Sequence, residues 1–209
     1  MTDEAKHRVL EHAATGARLR ERFFQENADL IVEAARVLAV CLARNGKILL
    51  CGNGGSAADA QHLAAEFVNR FQLDRPPLPA IALTTDSSAL TAIGNDFGFE
   101  FVFSKQVQAL GMPEDILVGI STSGNSENVV KAFEAARENS VVTIGLTGKN
   151  GGKMAELSDI LINVPEESTA LVQEVHIAVG HLLCNLVDYF LFQNALALAP
   201  FLDDDGQAE

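Results

Sequence analysis

The chain has 209 residues, 48% of them hydrophobic, with one Tyr and no Trp, which fits one globular domain of ordinary size. Its formal net charge is −13, with a pI near 4.7, so the molecule repels polyanions and lacks the basic stripe of a nucleic-acid binder; an anionic ligand must be held by local donors. Three cysteines in apolar surroundings, Cys41, Cys51 and Cys184, are an odd set that suggests reduced, packed thiols and a cytoplasmic protein. The charged start MTDEAKHRVLEH is unlike a signal peptide, and no charge-free apolar run of about 18 residues is available to span a membrane.

Helical spacing of apolar residues occupies 3–26 and again 28–44, which predicts two helices ahead of any strand. Within them His7 and His12 read as solvated. The first strand is expected at 47–51, KILLC, and runs into Gly52, Asn53, Gly54, Gly55 and Ser56, residues that permit positive φ and close backbone approach. A helix opening at Ala57 then carries His62 and Glu66 four residues apart, hence on one face, with Arg70 a further turn on. On an arbitrary helix such a pair is a surface contact. One or two turns after a glycine-rich strand end it faces the crevice where open α/β sheets bind ligands, and an imidazole with a carboxylate suits proton transfer or a divalent metal.

RPPLP (75–79) leads into a strand at 79–83, and Asn95 and Asp96 follow Gly94 in an expected loop. The strand at 115–120 ends in Ser121, Thr122, Ser123, Gly124, Asn125 and Ser126 before a helical pattern at 127–139. Hydroxyls and free N–H groups at a helix N-terminus make a phosphate cradle, although Ser126 alone would serve equally as a helix cap. Further strands are expected at 140–146 and 159–164, with KNGGK (149–153) opening a short helix between them. This alternation implies a parallel sheet. The helix at 168–192 is apolar on nearly every side, so it is threaded through a core or packed against other subunits, and a homo-oligomer is expected. In it His176 reads as structural. The end, 197–209, is acidic and expected to fray.

Five blocks in order, CGNGGSAADAQHLAAEF, TAIGNDFGFE, GISTSGNS, LTGKNGGKMAELSD and QEVHIAVGH, together closely resemble the phosphoheptose isomerases of the sugar isomerase (SIS) domain family, over nearly the whole chain. With the alternation above, the resemblance implies one α/β domain over 1–196: a three-layer sandwich with a five-stranded parallel, flavodoxin-like sheet, two N-terminal helices and a long C-terminal helix. It implies a cytoplasmic, zinc-dependent homotetramer that interconverts sedoheptulose 7-phosphate and D-glycero-D-manno-heptose 7-phosphate on the way to ADP-heptose for lipopolysaccharide. Carried over by position, it makes His62, Glu66, Gln173 and His181 the ligands of one Zn2+ per subunit, with Glu66 and His181 the acid–base pair. It puts the sugar phosphate among Asn53, Gly54, Gly55, Ser56, Glu66, Asn95, Asp96, Ser121, Thr122, Ser123, Ser126 and Gln173. Where some members carry an Asp and a basic residue three and two positions before the ligand Gln, this chain has Ala170 and Leu171. Gln173 and His181, eight residues apart, are offset along a straight helix by about 12 Å, so long side chains or a second subunit must close any metal site. The competing readings are a non-catalytic SIS protein that binds a replication initiator and an isomerase of another sugar phosphate; relatives of the former lack the catalytic residues at the positions of Glu66 and His181, which this chain keeps.

Overall fold

A computed structural model describes residues 2–202; the final stretch DDDGQAE of the expected frayed end lies outside the described residues. The first correction to the expectations is at the N-terminus. One unbroken helix, α1 (Thr2–Ala43, 42 residues), replaces the two anticipated helices. At the expected boundary, residue 27, the Asn27 amide donates to the Phe23 carbonyl at 2.9 Å, so its side chain is spent along the helix and caps nothing. Phe23 and Ile31, on either side of it, are both buried, so one apolar stripe runs through the supposed break.

After α1 the chain alternates as predicted: β1 (Ile48–Gly52), α2 (Gly55–Val68), β2 (Ala80–Ala82), α3 (Ser87–Asp96), α4 (Ser104–Leu110), β3 (Ile116–Ser121), α5 (Glu127–Glu138), β4 (Val142–Gly148), β5 (Ile160–Val164) and α6 (Thr169–Asp188). The five strands pair in parallel in the order β2-β1-β3-β4-β5, the flavodoxin-like arrangement. Each strand lies within one or two residues of its expected place, because a strand covered on both faces shows in sequence as an unbroken apolar run. The pleat deals alternate residues to opposite layers. Ile48, Leu50, Ile116, Val118 and Ile120 join a core with α1, α2 and α6, while Leu49, Cys51 and Leu117 join one with Val102, Phe103, Val129 and Phe133. The result is the three-layer sandwich. Its strand order reverses between β1 and β3, and the crevice beyond their carboxyl ends is where both glycine-rich corners sit.

Helix α6 continues through a π-helical turn, Tyr189–Gln193, and this stretch is long and apolar enough to cross a membrane by composition. Over half of its apolar window, 56%, is buried inside the protein against other elements, as in the core helix of a globular domain. Leu198 is buried, and a helical turn, α7 (Ala199–Leu202), packs Phe201 under the Arg36 guanidinium at 4.1 Å from the ring centroid; this part of the expected frayed end is therefore docked. All three cysteines are free and buried, and burial pushes the thiols of Cys41 and Cys51 up to about 12, which removes them from thiolate chemistry.

Candidate active site

The corner after β3 is built from hydroxyls that contact one another. Ser121 Oγ lies 2.9 Å from Ser126 Oγ and 3.5 Å from Ser123 Oγ. Ser126 stands at the N-cap of α5, yet its side chain makes no capping hydrogen bond. The cap reading therefore fails, and the hydroxyl is turned toward the corner, where the helix dipole and the unpaired first N–H groups favour an anion. Gly124 closes the turn at φ 63°, and a Cβ there would collide with the Gly151 carbonyl of the next loop. Gly124→Ala is expected to cost more than about 2 kcal/mol, from left-handed strain plus the clash, and to raise KM for a phosphorylated substrate by displacing 121–126. Melting curves and steady-state kinetics on the same preparation check this; a variant with wild-type melting and KM would show that the loop tolerates a side chain.

The corner after β1 is tied to the first one by a reciprocal amide pair. Asn53 Nδ2 donates to Asn128 Oδ1 at 2.8 Å and Asn128 Nδ2 to Asn53 Oδ1 at 2.9 Å. Asn128, buried in the first turn of α5, was not foreseen from the sequence; a buried amide facing a glycine corner leaves no periodic signal. Ser56 is buried, and its backbone N–H bonds back to the Asn53 carbonyl. Gly54 has open space around it, whereas a Cβ on Gly55 would come within 2.7 Å of Gln173 Nε2. The Gln173 amide thus lies over the N-terminus of α2.

That contact is the first of several showing that α2 and α6 run side by side in the same direction. Gly180 presents its bare Cα to Leu63. Directly beside it, the rings of His62 and His181 meet edge to face, 5.2 Å between centroids. His62 Nε2 is 3.0 Å from Glu66 Oε1, the two side chains 45% and 23% exposed, so the pair opens to solvent on one side only. Phe71 also stacks on the His181 ring, 5.4 Å between centroids. Burial, then the Glu66 carboxylate, push the Cys184 thiol up, which places that carboxylate toward α6. A half-buried carboxylate at Asp59, one turn before His62, was also missed. Burial raises its pKa, and His62 and His181 pull it back down, so it faces both rings.

The fold therefore brings His62, Glu66 and His181 to one level and holds Gln173 at another, over Gly55. Among the described residues no three His, Cys, Asp or Glu side chains converge closely enough to cage a metal ion by themselves. Asn95 and Asp96 stand in the last turn of α3, not in a loop: Asp86 caps that helix by accepting from Ala89 N–H at 2.9 Å. They are exposed, Asn95 donates to Asp96 at 2.8 Å, and among the described residues neither is hydrogen-bonded to the two corners. Leu171, one of the two departures, is buried close to Gly16 of α1, so it serves packing, while Ala170 is exposed. His176 is structural as expected: it is buried, its Nε2 lies 2.9 Å from the Thr147 carbonyl, and burial holds its imidazole at about 4.

A profile of the SIS domain matches residues 11–148. The chain is 68% identical over 203 residues to the phosphoheptose isomerase of Nitratidesulfovibrio vulgaris Miyazaki F, covering 97% of this chain and 98% of that one. It belongs to the phosphoheptose isomerases of the SIS domain family. Among solved structures, the phosphoheptose isomerase GmhA of Neisseria gonorrhoeae is similar at 51% identity and a TM-score of 0.84, over 88% of this chain and 98% of that one. A phosphoheptose isomerase from Francisella tularensis is similar at 39% identity and a TM-score of 0.85, with the same coverage. As a phosphoheptose isomerase the chain is an enzyme, and the reading of it as a non-catalytic binding module is set aside.

Proposed function

We propose that the chain interconverts sedoheptulose 7-phosphate and D-glycero-D-manno-heptose 7-phosphate, the entry to ADP-heptose, as a zinc-dependent cytoplasmic homotetramer. The observation that carries the chemistry is the grouping of Glu66 and two imidazoles on α2 and α6; the hydroxyl-lined N-terminus of α5 supplies a separate anion site. Aldose–ketose isomerisation takes a proton from the carbon next to a carbonyl, passes through an enediol, and returns a proton one carbon away. Ser121, Thr122, Ser123, Ser126 and the N–H groups opening α5 hold the phosphate. Glu66 takes the proton from carbon and returns it to the neighbour, and His181 moves the other proton between the two substrate oxygens, so no oxidant is needed.

Imidazole nitrogen and carboxylate oxygen are donors that zinc takes, which supports His62, Glu66 and His181 as its holders; Gln173 joins them on the strength of the resemblance. When bound, such an ion supplies stabilisation of negative charge on the substrate oxygen. Assembly is supported by what one chain leaves bare. No residue of α3 is buried, and Val9, Leu10, Phe97, Phe99, Tyr189 and Phe192 are exposed. Asn95 and Asp96 on α3 would then face a neighbour's crevice.

The purified protein incubated with sedoheptulose 7-phosphate should give the aldose by NMR, lose activity with a strong chelator and regain it with zinc, and scatter light as a tetramer. Full turnover in demonstrably metal-free protein discards the metal, an active folded monomer discards the assembly, and faster turnover of an arabinose or hexose phosphate reassigns the substrate.

A further inference from the structure

The C-terminal end of α2 is held by a buried ion pair that nothing in the proposed chemistry uses. The Arg75 and Asp188 side chains are 1% and 4% exposed, and Arg75 Nε donates to Asp188 Oδ1 at 2.7 Å. The rest of the guanidinium reaches back to the end of α2. Nη2 donates to the Glu66 carbonyl at 3.0 Å, and Nη1 to the Phe67 carbonyl at 2.7 Å and the Pro76 carbonyl at 3.1 Å. The last carbonyls of a helix lack intrahelical partners, and a cation there also answers the negative end of the helix dipole. One planar fork therefore grips the backbone of Glu66 and, through Asp188, the α6 turn two turns beyond His181.

Other contacts also bear on how far α2 slides along α6: Gln173 lies over Gly55, Leu63 fills the notch at Gly180, and Asn185 Nδ2 donates to Gln72 Oε1 at 3.0 Å. The Arg75 fork differs from these in bonding the Glu66 backbone itself. We propose that Arg75, through Asp188, is the positioning residue that registers Glu66 against His181. The inference rests on Glu66 and His181 being the acid–base pair. Glu66 is anchored at its own carbonyl, His181 by the helix that Asp188 terminates, and the ion pair joins the two anchors.

Arg75→Lys keeps the charge but loses the fork, since one ammonium cannot serve both Asp188 and the α2 carbonyls. The expected result is a fall in kcat of about 10- to 100-fold, typical of sub-ångström misplacement, with KM within about twofold because the phosphate corner is untouched. The double variant Arg75→Met/Asp188→Leu replaces the pair by apolar groups, which often restores stability to such a site. It should recover the melting temperature without recovering kcat. Wild-type kcat per folded molecule in Arg75→Lys, or kcat returning together with stability in the double variant, overturns the proposal. If either chain fails to fold, Asp188→Asn, which keeps size and one accepting oxygen, decides on the same readouts: a lowered kcat at unchanged KM supports the role and an unchanged kcat refutes it. Glu66→Gln run alongside separates the two layers of argument. If it stays active, the assignment of the base fails; if it is inactive while Arg75→Lys is fully active, only the positioning role fails.

Discussion

Glu66→Gln is expected to give a folded protein with wild-type assembly and a turnover reduced by at least the 10²- to 10⁴-fold of a positioned proton transfer. The amide keeps the size of the carboxyl and can still meet His62 Nε2, at the 3.0 Å where the carboxylate now lies, so the fold loses little. What disappears is the carboxylate that α2 sets against His62, beside the His181 ring. Asp59 lies two turns before Glu66 and one before His62, and burial raises its pKa, which makes it a poorer ligand but a better base. The assay is therefore decisive about which carboxylate works. A Glu66→Gln protein that retained more than about a tenth of the wild-type rate would move the role to another residue, and Asp59→Asn would be the variant to make next.

On the proposed mechanism, His181→Asn should abolish turnover, weaken the proposed zinc binding and leave the state of assembly as in wild type. The ring is held between the edge of His62 and the face of Phe71, so Asn gives up two ring contacts while an amide still fits the half-buried position. A His181 that served only packing would behave differently. Its replacement would lower stability by about 1–3 kcal/mol, as for a disturbed buried polar group, and leave turnover per folded molecule nearly unchanged. Melting temperature, bound zinc and rate measured on one preparation separate the two cases, and a stable, zinc-replete, fully active variant would remove His181 from the chemistry.

The sheet and its two corners were legible because each rests on a local signal: unbroken apolar runs for strands buried on both faces, then small residues at their carboxyl ends. The helix pair His62 and Glu66 was legible for the same reason, since four-residue spacing is a property of one element. What escaped was set by partners distant in sequence. Asn128 and Arg75 have no periodicity of their own; one finds Asn53, the other Asp188, across 75 and 113 positions. Arg75 sat in a segment read only as a proline-rich connection, and Asp188, at the far end of an apolar helix, carries no local sign of its partner. The break expected at residue 27 is absent, because Phe23 and Ile31 on either side of it are buried together. Gly94 likewise suggested a loop for Asn95 and Asp96, but a glycine in the last turn of a capped helix costs only about 1 kcal/mol relative to Ala.

The unbroken α1 has a consequence for how this protein responds to dilution. Residues 3–14 are exposed at every position, and His12 reaches α6 only through Glu174 at 2.8 Å, next to Gln173. Three helical turns carrying Val9 and Leu10 in water contribute little to the stability of a lone chain. In the proposed assembly a second copy would cover them, and their free energy would become a mass-action quantity, larger at high protein concentration and vanishing at low. Because no break separates these turns from those packed on α6, fraying that begins at Val9 travels along one rod toward the helix that carries Gln173 and His181. If the proposed assembly forms, specific activity is expected to decline on dilution before the core unfolds.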